Sequence, residues 1–200
     1  GHLGFKADQI FDEKYSLEEL IPEVVKEVAV FEEKYQQEIP VIAAGGIYNG
    51  EDIYNIMQAG AKGVQMGTQF VTTYECDAAD DFKQAYINAS EKDVEIIVSP
   101  VGMPGRAIHN EFLAAVKRGE KKPINCPVKC IKTCNVETTP YCIISALMNA
   151  YKGKFNGGYA FAGANAYRAK TIRSVKELMN ELVEELSEKF NQHLMLAPVV

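Results

Sequence analysis

The chain has 200 residues, 47% apolar and 24% charged, which suffices to bury one sizeable core without requiring a second domain. Acidic residues outnumber basic ones by 27 to 21 and the net charge is -6, with no long basic run, so neither nucleic acid nor an anionic membrane surface is indicated as a partner. The stretch from Gly1 to Phe11 lacks the basic and apolar regions of a signal peptide and no apolar run approaches bilayer length, so a cytoplasmic location is expected.

Residues 1 to 15 read as a loop. Ser16 and Glu19 have the spacing of a capping box, and Leu17, Leu20, Ile21, Val24, Val25 and Val28 recur at helical intervals, predicting a helix to about Tyr35. Ile39-Pro40-Val41-Ile42-Ala43-Ala44, ended by Gly45-Gly46, fits a parallel strand buried on both faces. Asn49 suits an N-cap, Glu51 and Asp52 the first turn, and Gly60 a helix end. A second buried strand, Gly63-Val64-Gln65-Met66, runs into Gly67-Thr68 and another helical start, completing a βαβ unit.

Beyond Val71 the alternation is less regular. A helix is predicted over Asp80 to Ser90, a strand over Val94 to Val98, a loop over Val101 to Arg106 and a helix from about Asn110 to Lys117. Cys126 to Lys152 reads as two helical pieces broken near Thr138-Thr139-Pro140, followed by a Gly- and aromatic-rich loop from Gly153 to Ala164. Ser174 and Glu177 repeat the capping-box spacing before an amphipathic helix ending near Phe190, and Leu194 to Val200 has no pattern.

The two glycine turns are the main candidates for chemistry. Backbone N–H groups at the end of a buried parallel strand, opening toward a helix, attract an anion, and glycine lets a phosphate approach closely. Gly45-Gly46 and Gly67-Thr68 on neighbouring strands would face one ligand, as in barrels whose phosphate site follows the last two strands.

Gly1-His2-Leu3-Gly4, Ile39 through Ile47, and Gly63-Val64-Gln65-Met66-Gly67-Thr68-Gln69-Phe70 resemble, in order and spacing, the C-terminal half of the nitronate monooxygenase family. Similar motifs occur in flavin-dependent enoyl-acyl-carrier-protein reductases. The resemblance continues through Ser99-Pro100-Val101-Gly102-Met103-Pro104-Gly105-Arg106 and Gly163-Ala164-Asn165-Ala166. It implies an α/β chain forming the C-terminal part of an FMN-binding (β/α)8 TIM barrel over 1–98, with a helical extension over 99–200 packing against it. It further implies that Gly45, Gly46, Gln65, Met66, Gly67 and Thr68 hold FMN by its phosphate and that His2 is the catalytic histidine. The implied reaction is oxidation of an alkyl nitronate by dioxygen to a carbonyl compound and nitrite. The alternatives are an enoyl-acyl-carrier-protein reductase, against which the long insertion from Phe5 to Tyr15 argues, and a flavin-binding fragment without turnover. A complete barrel needs further strands, so polypeptide is expected before Gly1; the expected partner is the missing N-terminal half of the barrel, with a homo-oligomer also open.

His109 is expected in a surface or supporting role, and His193 receives no assignment. Arg106 is open to a substrate or flavin anion and equally to a surface salt bridge. Five cysteines do not suggest a disulfide framework, so reduced thiols are expected. Cys126, Cys130, Cys134 and Cys142 raise the question of a metal or iron–sulfur cluster, such as some flavin barrels carry. Spacings of four along a helix would instead set the first three in a drifting row, and the expectation is small, buried, metal-free packing residues there and at Cys76.

Overall fold

The computed structural model describes residues 3–6, 8–120, 126, 129–132 and 134–196. Its first helix, α1 (Leu17–Tyr35), begins where the Ser16 hydroxyl accepts the Glu19 N–H at 3.3 Å and ends at Gln36 in the left-handed region, φ 51°. Next come β1 (Ile42–Ala44), α2 (Gly50–Gln58) and β2 (Gly63–Gln65). The two strands are parallel, with Ile42 opposite Gly63, Ala43 opposite Val64 and Ala44 opposite Gln65, which is the βαβ unit predicted from the sequence. Both halves of the Asn49/Asp52 capping box form at the start of α2, and Gly60 leaves the helix at φ 111°.

The chain continues through α3 (Thr68–Val71), α4 (Asp80–Ile87), β3 (Val94–Val98), β4 (Pro104–Ile108), α5 (Glu111–Lys117), α6 (Ile143–Tyr151) and α7 (Val175–Leu196). β3 and β4 form an antiparallel hairpin running from Val94 opposite Ile108 to Val98 opposite Pro104. The hairpin thus spans residue 98, while α7 returns to the first apolar cluster, where Leu178 and Leu182 join Ile21, Ala43, Ile47, Ile53 and Ile56.

The approach of α7 to α2 depends on Gly50. A Cβ at this position would stand 2.4 Å from the Leu186 backbone nitrogen and 2.4 Å from the Glu185 Cβ, so any side chain forces the helices apart. The Gly50 N–H also donates to Glu185 Oε2 at 2.7 Å. Gly50→Ala is therefore expected to cost about 3 kcal/mol, as overpacking against backbone does, and to lower the thermal midpoint by roughly 10 °C in a calorimetric scan.

The structure corrects four sequence expectations. β1 is not buried on both faces: Ala43 is buried in the first apolar cluster but Ile42, on the opposite face, is 54% exposed, and among the described residues the sheet of β1 has two strands. The run from Val101 to Arg106 is a loop only as far as Met103. Gly102 turns at φ 86°, and Pro104 opens a strand whose pairing with β3 overrides a composition unfavourable to strands. The helical piece expected from Cys126 is absent among the described residues, since Lys129 has φ 47°, which no right-handed helix accommodates. Finally, α7 runs beyond Phe190 to Leu196.

Candidate functional site

Because β1 and β2 are parallel, their C-terminal ends lie on the same side of the sheet, and both glycine turns leave from that side. Gly45 and Gly46 adopt φ 107° and 73°, where an L side chain is strained. Gly67 sits at the N-cap of α3 with φ -124°, so its requirement is space rather than conformation. A Cβ built at Gly45, Gly46 or Gly67 meets nothing within 4 Å. Open space therefore borders the backbone of both turns. Ala44, Gly45, Gly46, Gln65 and Gly67 are exposed on this side, Thr68 is half-buried, and Met66 packs partly against the first apolar cluster.

The structure narrows which donors can serve an anion here. At the start of α2 the Asp52 carboxylate accepts the N–H groups of Tyr48 at 2.8 Å and Asn49 at 3.2 Å, Asn49 Oδ1 accepts that of Asp52 at 2.9 Å, and Glu185 takes that of Gly50. The chain's own side chains thus occupy the helix N-terminus that the sequence pattern assigns to an external anion. The glycine turns themselves remain as the close-approach surface.

Two supports behind the turns had no role assigned from sequence. Gln69, buried at 4% exposure, donates from Nε2 to the Tyr48 carbonyl at 2.7 Å and accepts from Arg173 at 3.0 Å, and Arg173 is paired with Glu181. Through Gln69 the loop after β1, the turn after β2 and α7 hold one another in place. Tyr48 also carries the Arg168 guanidinium 4.4 Å from its ring centroid, and burial pushes its phenol pKa up while Arg168 pulls the other way.

The second support is a strap formed by the Gly163–Ala166 segment. Asn165 Nδ2 donates to the Gly46 carbonyl at 2.6 Å, and the Gly163 N–H donates to Thr68 Oγ1 at 3.1 Å. The strap is itself tied to β4, where the Ala162 N–H donates to the Arg106 carbonyl at 2.9 Å, and β4 holds the N-terminal loop through the Leu3 N–H to the Pro104 carbonyl at 2.9 Å. Five motifs scattered through the sequence are thereby linked by hydrogen bonds into one surface. His2 lies outside the described residues.

A Cβ at Gly163 would stand 2.4 Å from Thr68 Oγ1, replacing the hydrogen bond with a collision. Gly163→Ala should loosen the strap by about 2 kcal/mol, visible as faster amide hydrogen exchange across 161–166 with the exchange of α1 unchanged. Arg106 sits half-buried on β4, and desolvation lowers its guanidinium pKa. His109 is partly exposed and contacts Glu95 at 3.2 Å, in keeping with a supporting role at the surface.

Glycine turns at one end of parallel strands, bordered by open space and tied to the Gly163–Ala166 strap, define an α/β protein whose candidate ligand site is at the C-terminal strand ends. The chain matches the nitronate monooxygenase family over residues 1–185, and it belongs to that family. It is 33% identical over 167 residues to a probable nitronate monooxygenase of Staphylococcus haemolyticus (strain JCSC1435), covering 84% of this chain and 42% of that protein. A probable nitronate monooxygenase of Staphylococcus saprophyticus is 38% identical over 94 residues, 47% of this chain and 24% of the relative. Among solved structures, FabK from Thermotoga maritima aligns with a TM-score of 0.70 at 24% identity over 96% of this chain and 52% of its own. Nitroalkane oxidase from Streptomyces ansochromogenes aligns at 0.65, also at 24% identity, over 96% and 50%. These two likenesses show a shared fold. The chain spans about half the length of the solved structures and less than half of the two staphylococcal relatives. No helix among the described residues is long and apolar enough to cross a membrane.

Proposed function

We propose that this chain is the C-terminal part of an FMN-binding (β/α)8 barrel that oxidises alkyl nitronates with dioxygen, yielding a carbonyl compound and nitrite. In this reading residues 1–98 carry the last barrel strands and 99–200 pack against them. The observation that carries it is the pair of glycine turns on adjacent parallel strands, with open space beside Gly45, Gly46 and Gly67.

That space suits the phosphate of FMN, because a phosphate must come within hydrogen-bond reach of backbone N–H groups and a Cβ would keep it out. Thr68 adds a hydroxyl whose oxygen accepts from Gly163 and whose own proton is left to donate toward a phosphate oxygen. Gln65 and Met66 bring the end of β2 to the same side. When bound, FMN supplies the two-electron chemistry and the reaction with dioxygen.

The remaining proposed roles fall to the chain itself. His2, the residue before Leu3, whose own N–H donates to the Pro104 carbonyl of β4, is assigned the role of taking the proton from a neutral nitroalkane or facing the negative charge of a nitronate. The test is oxygen uptake by the FMN-loaded protein on addition of an alkyl nitronate. Uptake with nitrite formation supports the reading; nicotinamide oxidation with an enoyl thioester and no nitronate turnover replaces it with the reductase, and flavin binding without either leaves a binding module.

A further inference from the structure

The metal-free expectation for Cys126, Cys130 and Cys134 rests on a helix that would spread them in a drifting row, and among the described residues that helix does not form. Instead, all three thiols and Cys142 line one small, largely enclosed cavity of about 20 Å³, walled on its other sides mainly by apolar groups such as Val136 and Ile143. Neither a carboxylate nor an imidazole is among the described groups lining it. Four cysteines from a 17-residue stretch border this space, and the hydroxyl of Thr139, which lines it too, donates to the Tyr141 carbonyl, so sulfur is the dominant donor type there.

We propose that Cys126, Cys130, Cys134 and Cys142 form a four-thiolate site for a thiophilic metal centre. All four cysteines are free, so none is committed to a disulfide. The cavity exceeds the ~10–15 Å³ that admits a single small occupant, so the space matches one ion, for which Zn²⁺ is the matching chemistry. Three further features suit a negatively charged metal–sulfur unit. The Lys129 N–H donates to Cys126 Sγ at 3.4 Å, Cys142 is the N-cap of α6 at the positive end of its dipole, and Lys129 and Lys132 place two cations in the loop against the two net negative charges of a Zn(Cys)4 unit. Among the described residues no three of these side chains already stand at ligand spacing, so metal binding must contract the loop to Zn–S distances of about 2.3 Å. Each bound thiol becomes a thiolate and its proton goes to solvent, up to four protons per Zn²⁺, with no oxidation or reduction.

The test is independent of the flavin and of turnover. The protein is purified anaerobically from zinc-replete cells and its zinc, iron and acid-labile sulfide are measured. The expected result is one zinc per chain, retained in Cys76→Ser and lost in Cys134→Ser. If Cys134→Ser misfolds, thiol counting on the wild type decides: four thiols should be shielded from a disulfide reagent with zinc bound and become reactive after chelation, while Cys76 reacts equally in both states. Iron with matching sulfide, lost in the same variant, keeps the four-thiolate site and assigns it to an iron–sulfur cluster. Wild-type protein without stoichiometric metal, metal content unchanged by Cys134→Ser, or disulfides among the four overturns the proposal.

Discussion

Gly46→Val is expected to weaken FMN binding by about a hundredfold or more. Two effects act on different quantities. At φ 73° a β-branched side chain is strained, at a cost on the order of 1–3 kcal/mol that is common to the free and bound states and so lowers stability, whereas the new methyl groups fill the open space that the phosphate would enter. Since 1.4 kcal/mol is a factor of ten in affinity, losing charge-assisted phosphate contacts worth about 3 kcal/mol carries the binding loss to that range. Strain and ligand exclusion can be separated because Gly119 has nearly the same conformation, φ 75°, with equally open surroundings, at the end of α5. Gly46→Ala and Gly119→Ala should lose similar stability in thermal unfolding, yet only Gly46→Ala should weaken flavin binding in fluorescence titration.

His2→Asn is expected to depress turnover of neutral nitroalkanes, where these are substrates, by 10²- to 10⁴-fold, the range typical for loss of a general base. A nitronate is already ionised and needs only a partner for its charge, which the Asn amide partly supplies, so its turnover should fall much less. Both substrates are compared at one pH, with flavin content measured first so that cofactor loss is not counted as lost chemistry. Equal losses on both substrates would assign His2 to charge stabilisation or loop structure, and no loss on either would remove it from the active site.

The parts of the fold that were legible are those governed by local chemistry. Ser16, Asn49 and Ser174 cap helices because short side-chain oxygens satisfy first-turn N–H groups wherever they occur. Gly45 and Gly46 mark a turn because few other residues tolerate their backbone angles. What was not legible depends on contacts between distant segments. β4 begins at a Pro-Gly pair and is a strand because β3 lies beside it. The start of α2 looks like a vacant anion site until Glu185, 135 residues away, takes the Gly50 N–H. Asn165 and Gly163 lie within a motif of the family resemblance, but nothing local indicates that they strap Gly46 and Thr68. The cysteine spacing of four imitates a helical repeat, and among the described residues the left-handed backbone at Lys129 breaks it, while the four cysteines border one cavity.

A crystal structure of the protein with FMN bound should show the phosphate between the two glycine turns, within hydrogen-bond distance of backbone N–H groups at Gly46 and at Gly67 or Thr68, with the Asn165 strap still on the Gly46 carbonyl. A phosphate bound at the opposite end of β1 and β2, or held by another part of the protein with these turns untouched, would contradict this placement.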